Sequence, residues 1–413
     1  MDLRQQRGME MAAMTRIQKL KKGSVWAVPS QSGAGIYHVD TDKANCSCPD
    51  FELRGLKCKH QFAVEYVIKR EQNADGSVTE TETLTVTATK VRKTYPQNWS
   101  AYNSAQTQEG DKFQVLLHDL CKGIPNPPPK NGRPPLALSD AIFSATYKVY
   151  STMSQRRFMS ELRAAQEHGF ITKTPHFNCI SNTLENPKLT PILKALITQS
   201  SLPLKAVETN FAVDSSGFCT SRFVRWFDVK YGKQRVQQHW VKAHLMCGVK
   251  TNIVTAIEIG EPFSGDSPFF VPMLKTTAQN FQISEVSADS AYCGNKNAEL
   301  TVAAGATPFI AFKSNATGAA GGAYQQMFHY FMYRRDEFCQ HYHKRSNVES
   351  TFSMIKRKFG DFLRSKTDIA MVNEALCKIL CHNLVVLIHE MHELGIDPVF
   401  WQLPEANPLT VTV

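Results

Sequence analysis

The chain has 413 residues and a formal net charge of +10, with 42% hydrophobic and 20% charged residues. That length exceeds what one hydrophobic core normally serves and predicts about two to four domains. The composition is that of a globular protein, no run reaches the roughly 18 uninterrupted apolar residues of a membrane span, and the positive balance favours a polyanionic partner, although charge alone does not separate nucleic acid from a membrane surface.

The first 24 residues carry Arg4, Arg7, Arg16, Lys19, Lys21 and Lys22 and lack the apolar core and small-residue cleavage site of a signal peptide. A short amphipathic helix is expected there, and secretion is not. Residues 24–40 hold two runs of β-branched and aromatic residues around a Ser-Gly-Ala-Gly turn, which predicts a hairpin. Immediately after it come Cys46, Cys48, Cys58 and His60, spaced CxC-x9-CxH. Three thiolates and an imidazole suit tetrahedral Zn²⁺, and four protein ligands leave no open position, so the metal is expected to be structural. Eleven cysteines is an odd number, and only this cluster has ligand spacing. The set points to metal and free thiols in a reducing compartment.

Residues 72–111 are polar, and residues 123–135 are rich in proline, so the whole span 72–135 is expected to be a flexible linker. Within it, Arg133 in KNGRPP resembles the Gly-Arg-Pro core of an AT-hook, and a proline-rich linker accounts for it as well. Ser139 is placed to cap a helix running to Tyr150, and Ser154 to cap a second one ending at Gly169, whose Phe158, Leu162 and Ala165 share a face. Two short helices in succession suggest a helix-turn-helix-like DNA-binding domain over 136–200, with Arg156, Arg157 and Arg163 as candidate DNA contacts.

From Phe211 the pattern changes to apolar runs, FAVDSS, RFVRWFDV, WVKAHLMCGV and NIVTAIEI, read as strands. A helix near 269–278, the strand ISEVSADSAY, a helix near 295–304, the strand TPFIAF and helices over 342–363 and 369–394 follow, while the Gly/Ala-rich stretch 317–323 reads as a loop. The predicted fold class is thus multidomain α+β and α/β: a small zinc finger over 1–71, the linker, the helical domain, an α/β domain over 201–395 and a tail over 396–413.

Asp214 interrupts one apolar run and Asp289 sits where another gives way to a turn, and a carboxylate there is costly unless paired, exposed or metal-bound. Two acidic residues at strand ends suggest a hard cation, because Mg²⁺ takes a few carboxylates and completes its shell with waters and phosphate oxygens. Tyr342, Arg345, Glu349 and Lys356 fall on one face if their segment is helical, which flanks a carboxylate with a guanidinium, an ammonium and a phenol. Between Tyr342 and Lys366 there are seven basic residues and two acidic ones.

The spacing Y-x2-R-x3-E-x6-K resembles the YREK signature of DDE transposases of bacterial insertion sequences, and the stretches WVKAHLMCGVKTNIVTAIEI, GDSPFFVPML and VSADSAYCGNKNAELTVAAGATPFIAFKSN resemble the same domain. The cysteine segment, extended by His60-Gln61-Phe62-Ala63, resembles a SWIM zinc finger, a family that binds DNA or protein partners. The first resemblance implies an RNase H-like catalytic domain using two Mg²⁺ ions, with Mn²⁺ as a substitute, in which Asp214 bridges the ions and Asp289 and Glu349 each hold one. It implies that Arg345 and Lys356 grip backbone phosphates, with Tyr342 beside the strand, and that element ends are cleaved and their 3′-hydroxyls joined to target DNA. The partner is then double-stranded DNA, element ends and target alike, bound by a homodimer on paired ends, without a membrane, in the cytoplasm and associated with the nucleoid. The interval from Asp289 to Glu349 leaves little room for an inserted β-domain, which puts a hairpin intermediate in doubt. Asp228 and Asp266 are rival carboxylates outside the motif. A metal nuclease of the same fold without strand transfer, and a transposase-derived zinc-containing DNA-binding regulator, are the competing readings.

Overall fold

A computed structural model describes residues 3–20, 23–30, 35–72, 98–128, 135–220, 240–313 and 316–401. Arg133, Asp228 and the run RFVRWFDV lie outside the described residues. The chain divides into two compact units, Met1–Tyr95 and Pro96–Val413.

In the first unit the expected hairpin is present. Strand β2 (Val25–Pro29) pairs antiparallel with β3 (Ile36–Asp40), from Val25 opposite Asp40 to Pro29 opposite Ile36, and the short β1 (Gln18–Lys19) and β4 (Asn45–Cys46) extend the sheet in the order β1-β2-β3-β4. Trp26 and Val28 alternate inward on β2 and meet Val39, Met11, Ala63 and Val64 around the three cysteines. The N-terminal helix α1 (Leu3–Met14) crosses α3 (Lys59–Gln72) closely, with α2 (Pro49–Arg54) between β4 and α3. Gly8 makes that crossing feasible, because a Cβ there would lie 2.5 Å from Phe62 Cβ. So small a core seldom holds a fold without a staple such as a metal.

The second unit opens with a difference from expectation. Residues assigned to the linker form α4 (Trp99–Lys122), which buries Phe113, Leu116, Leu117 and Leu120 and stands as a full member of the core. The helices α5 (Leu138–Ser151), α6 (Gln155–Glu167), α7 (Phe177–Leu184) and α8 (Leu189–Ser201) follow. Phe158, Leu162 and Ala165 are buried on α6 as their spacing predicts, and Gly169 follows at φ 79°. Ala137, not Ser139, occupies the cap of α5, and neither it nor Ser154 makes a side-chain capping bond.

The sheet comprises β5 (Asn210–Cys219), β6 (Trp240–Gly248), β7 (Val254–Gly260), β8 (Glu285–Ala288) and β9 (Thr307–Ile310), in the order β7-β6-β5-β8-β9. The first three run antiparallel to one another in sequence, and β8 and β9 run parallel to β5. Helices α9 (Ser267–Ala278) and α10 (Asn295–Ala303) connect them, and α11 (Gly322–Tyr333), α12 (Arg335–Tyr342), α13 (Ser346–Phe359) and α14 (Asp368–Glu393) close the chain. The stretch read as a loop at 317–323 in fact contains a 3₁₀ turn (Gly318–Ala320) and the start of α11, and the helix expected over 342–363 is broken by a 3₁₀ turn at His343–Arg345.

Because side chains alternate along a strand, β5 serves two cores. Ala212 and Phe218 face a cluster built from α4 to α8, α13 and α14, whereas Phe211 and Val213 face a second cluster with Phe270, Met273, Tyr292 and Phe309. The helical block and the sheet therefore share one core, and the boundary expected at 200/201 falls inside a single compact unit. Helix α14 is long and apolar enough to cross a membrane, but 94% of its most apolar window is buried inside this core. The expected tail also begins later than residue 396, since Phe400 is buried and Trp401 donates its indole N–H to the carbonyls of Asp119 and Leu120.

Candidate active site and zinc centre

The pairing of β5 with β8 sets the first two carboxylates side by side. Val213 lies opposite Ala288 in the parallel ladder, so Asp214 and Asp289 are the next residue out on adjacent strands. Each takes the amide after it: Ser215 N–H donates to Asp214 Oδ1 at 2.8 Å and Ser290 N–H to Asp289 Oδ1 at 2.6 Å. Glu349 comes to them on α13. The 3₁₀ turn before α13 carries Arg345, whose Nη1 donates to Asp214 Oδ2 at 2.9 Å and whose Nη2 lies 2.7 Å from Glu349 Oε1. Burial pushes the Asp214 carboxyl above its ordinary range; the Ser215 amide and Arg345 pull it down, while Asp289 and Glu349 push it up again. The three carboxylates thus share one field, in which placing a third negative charge is costly unless cations answer it.

The residues expected on one helix face come instead from three elements, Tyr342 at the end of α12, Arg345 in the 3₁₀ turn, and Glu349 and Lys356 on α13. The Arg345 guanidinium lies 5.9 Å from the Tyr342 ring centre, and Lys356 donates to Ser216 Oγ at 2.7 Å, two residues along β5 from Asp214 and on the same face. Two anchors hold this segment. Asn347 donates to Val249 O and Thr351 to Asn252 Oδ1 at the β6–β7 turn, and Glu285 on β8 binds His341 at 2.9 Å and Lys344 at 2.6 Å. Glu285, His341 and Lys344 were not legible as a unit, since only the i,i+3 spacing of two basic groups marks them in sequence. Asp266 lies on the other face of β5, ion-paired with Lys242 and accepting from Ser215 Oγ at 3.3 Å. Arg156, Arg157 and Arg163 are exposed on α6 and make no contact with the carboxylates among the described residues; Arg156 lies 5.1 Å over the Phe177 ring.

In the first unit Cys46, Cys48, Cys58 and His60 are all buried, and their ligand atoms lie within 4.8 Å of one another. Cys46 Sγ and Cys58 Sγ are 4.0 and 3.8 Å from His60 Nδ1. Tetrahedral zinc would set such pairs about 3.6 Å apart, so the donors fit the ion with little movement. Hydrogen bonding from the Cys46 thiol, outweighing burial, brings Cys58 far below the ordinary thiol range, and the same bond drives Cys46 up. Three buried thiols and an imidazole converging on one point are a donor set for a soft metal ion such as zinc.

The second unit carries a five-stranded mixed sheet with Asp214 and Asp289 side by side on adjoining parallel strands, and the first unit carries a Cys₃His cluster. Residues 205–384 match the family described as Transposase DDE domain, and residues 37–69 match the SWIM zinc finger. The chain carries a DDE transposase domain and an N-terminal SWIM zinc finger. No curated protein matches it at a significant level.

Proposed function

We propose that this chain is a transposase that binds the ends of a mobile DNA element, cleaves them and joins the freed 3′-hydroxyls to target DNA, with Asp214, Asp289 and Glu349 as the catalytic carboxylates. The observation that carries this reading is the register of β5 and β8, which sets Asp214 beside Asp289 on the strand that Arg345 ties to Glu349. The strand order and directions support an RNase H-like reading of the sheet.

Divalent Mg²⁺ or Mn²⁺ bound by the three carboxylates would supply Lewis acidity at the scissile phosphodiester. In the first step water attacks phosphorus, the bond to the 3′-oxygen breaks, and that oxygen leaves as a hydroxyl. In the second that hydroxyl attacks a target phosphodiester and displaces a target 3′-oxygen. Arg345, with a planar fork of donors, and Lys356, a point charge, are suited to holding backbone phosphates in line. Tyr342 stacks near Arg345 and borders the same strand. Arg156, Arg157 and Arg163 on α6 contact element-end DNA in this reading, and paired ends call for a homodimer. The YREK spacing supports assignment to bacterial insertion sequences and hence a cytoplasmic, nucleoid-associated protein.

Purified protein with Mg²⁺ or Mn²⁺, labelled DNA carrying the native element ends and a target plasmid tests this, comparing wild type with Glu349→Ala. Joined products from wild type alone are expected. Cleavage without joining would favour a nuclease, and binding with neither product a DNA-binding regulator.

A further inference from the structure

Behind the two aspartates, on the opposite face of β5, lies a chain of buried polar groups that the proposed chemistry does not use. Tyr292, fully buried, belongs to the turn that Asp289 opens, its N–H donating to Asp289 O at 2.9 Å. Its hydroxyl lies 3.0 Å from His244 Nδ1. Ser215 follows Asp214, stands opposite His244 in the β5–β6 ladder, and donates to Asp266, which Lys242 neutralises. The next residue, Ser267, closes the loop: Asn297 Nδ2 reaches both Ser267 Oγ at 3.1 Å and Tyr292 O at 2.8 Å.

The start of α9 therefore touches both aspartate turns, Asp266 through Ser215 and Ser267 through Asn297, while the Tyr292 hydroxyl reaches His244, the residue opposite Ser215 on β6. Polar groups at this depth are costly unless paired, so the arrangement persists only as a connected set. His244 is stacked 4.1 Å from Phe269, and burial drives its pKa down to about 4, so it stands neutral beside the phenol. This chain of groups meets the two aspartates through main-chain amides, Ser215 N–H donating to Asp214 Oδ1 and Tyr292 N–H to Asp289 O. Its leverage is on the backbone from which Asp214 and Asp289 project.

We propose that Tyr292 and Asp266 are positioning residues, forming a polar tie behind the sheet that fixes the separation of Asp214 and Asp289 for divalent-cation binding. This rests on the reading of those aspartates as metal ligands. Groups that orient ligands indirectly typically contribute about 10–100-fold to metal affinity. Tyr292→Phe keeps the ring in the core and removes only the hydroxyl, and Ser215→Ala cuts the same tie from a less buried position.

The test is Mn²⁺ titration of the full-length protein followed by electron paramagnetic resonance, with thermal melts in EDTA and the Mg²⁺ dependence of DNA cleavage alongside. Tyr292→Phe and Ser215→Ala are expected to weaken Mn²⁺ binding at least about tenfold and to shift half-maximal cleavage to higher Mg²⁺. At saturating Mg²⁺ cleavage should return, and the two changes combined should cost little more than either alone. A merely structural role would lower the melting temperature without moving the metal dependence, and that result overturns the proposal. If Asp214→Ala and Asp289→Ala themselves leave Mn²⁺ binding and cleavage intact, the aspartate assignment fails; if they abolish both while Tyr292→Phe matches wild type, only the tie fails.

Discussion

Arg345 and Asp214 meet across the junction between a helix turn and a strand: Nη1 donates to Oδ2 at 2.9 Å, while the other arm of the guanidinium reaches Glu349 at 2.7 Å. One side chain thereby spans two carboxylates from different elements. A lysine offers a compact point charge on a flexible stem in place of the rigid planar fork, so it does not reproduce the geometry in which both carboxylates are held. Arg345→Lys is expected to lower the single-turnover rate of strand cleavage by about 10–100-fold, or roughly 1.4–2.7 kcal/mol in the barrier. DNA affinity, measured by mobility shift, should fall less than the rate. A variant that cleaves at the wild-type rate would mean that the fork is not used in the reaction.

Removal of zinc should affect one unit of the chain and spare the other. The cysteines and His60 sit at the centre of a core containing few apolar side chains, among them Trp26 and Val28, whereas residues 96–401 have their own large clusters. Cys58→Ser, or strong chelation of wild type, is expected to release about one zinc per chain. Limited proteolysis should then cut within the first 72 residues and leave the second unit intact. Zinc measured by atomic absorption with an unchanged proteolysis pattern would assign the ion a role other than folding.

The elements visible from sequence were those whose signal is local. Phe158, Leu162 and Ala165 mark a helix face by spacing alone, the hairpin at Val25–Asp40 follows from two β-rich runs, and Asp214 and Asp289 stand out as charges in apolar strands. What remained hidden depends on partners distant in sequence. Helix α4 begins WSAYNSAQTQEGD, too polar to declare a buried face, and Glu109 within it is buried because Tyr150 and Lys358 pair with it. Its packing against α14 cannot be read from composition. The break at His343–Arg345 was likewise unreadable, although it leaves Arg345 within reach of both Asp214 and Glu349.

Stability should also carry a pH signature from the end of α14. Burial, reinforced by Glu393 and Glu208 and opposed by Lys250, pushes the Glu390 carboxyl from its ordinary 4.5 to about 7. Between those values the folded chain holds a proton that the unfolded chain has released, so this group's contribution to stability falls as pH rises from about 4.5 to about 7. Glu390→Gln removes the ionised form. It is expected to melt a few degrees above wild type at pH 8 and close to it at pH 4.5 in thermal scans followed by circular dichroism. Parallel melting curves for the two proteins across that range would show that Glu390 ionises normally.

The contact between α4 and the end of the described chain gives a prediction that activity assays would miss. Gly123 follows α4 with an ordinary right-handed backbone, φ −77°, so its need for glycine is a matter of space alone. The Trp401 indole lies over it, where a Cβ would stand 2.0 Å from the ring, and the same indole N–H is shared between the carbonyls of Asp119 and Leu120 at 3.1 and 3.2 Å. Gly123→Ala must lift the ring and break both bonds, an overpacking cost of about 1–3 kcal/mol. Tryptophan emission is expected to shift to longer wavelength as Trp401 moves toward water, with a lower melting temperature. Trp401→Phe serves as the control, because it deletes the emitter and the indole N–H together; if Gly123→Ala leaves emission and melting as in wild type, the ring does not pack on this turn in solution.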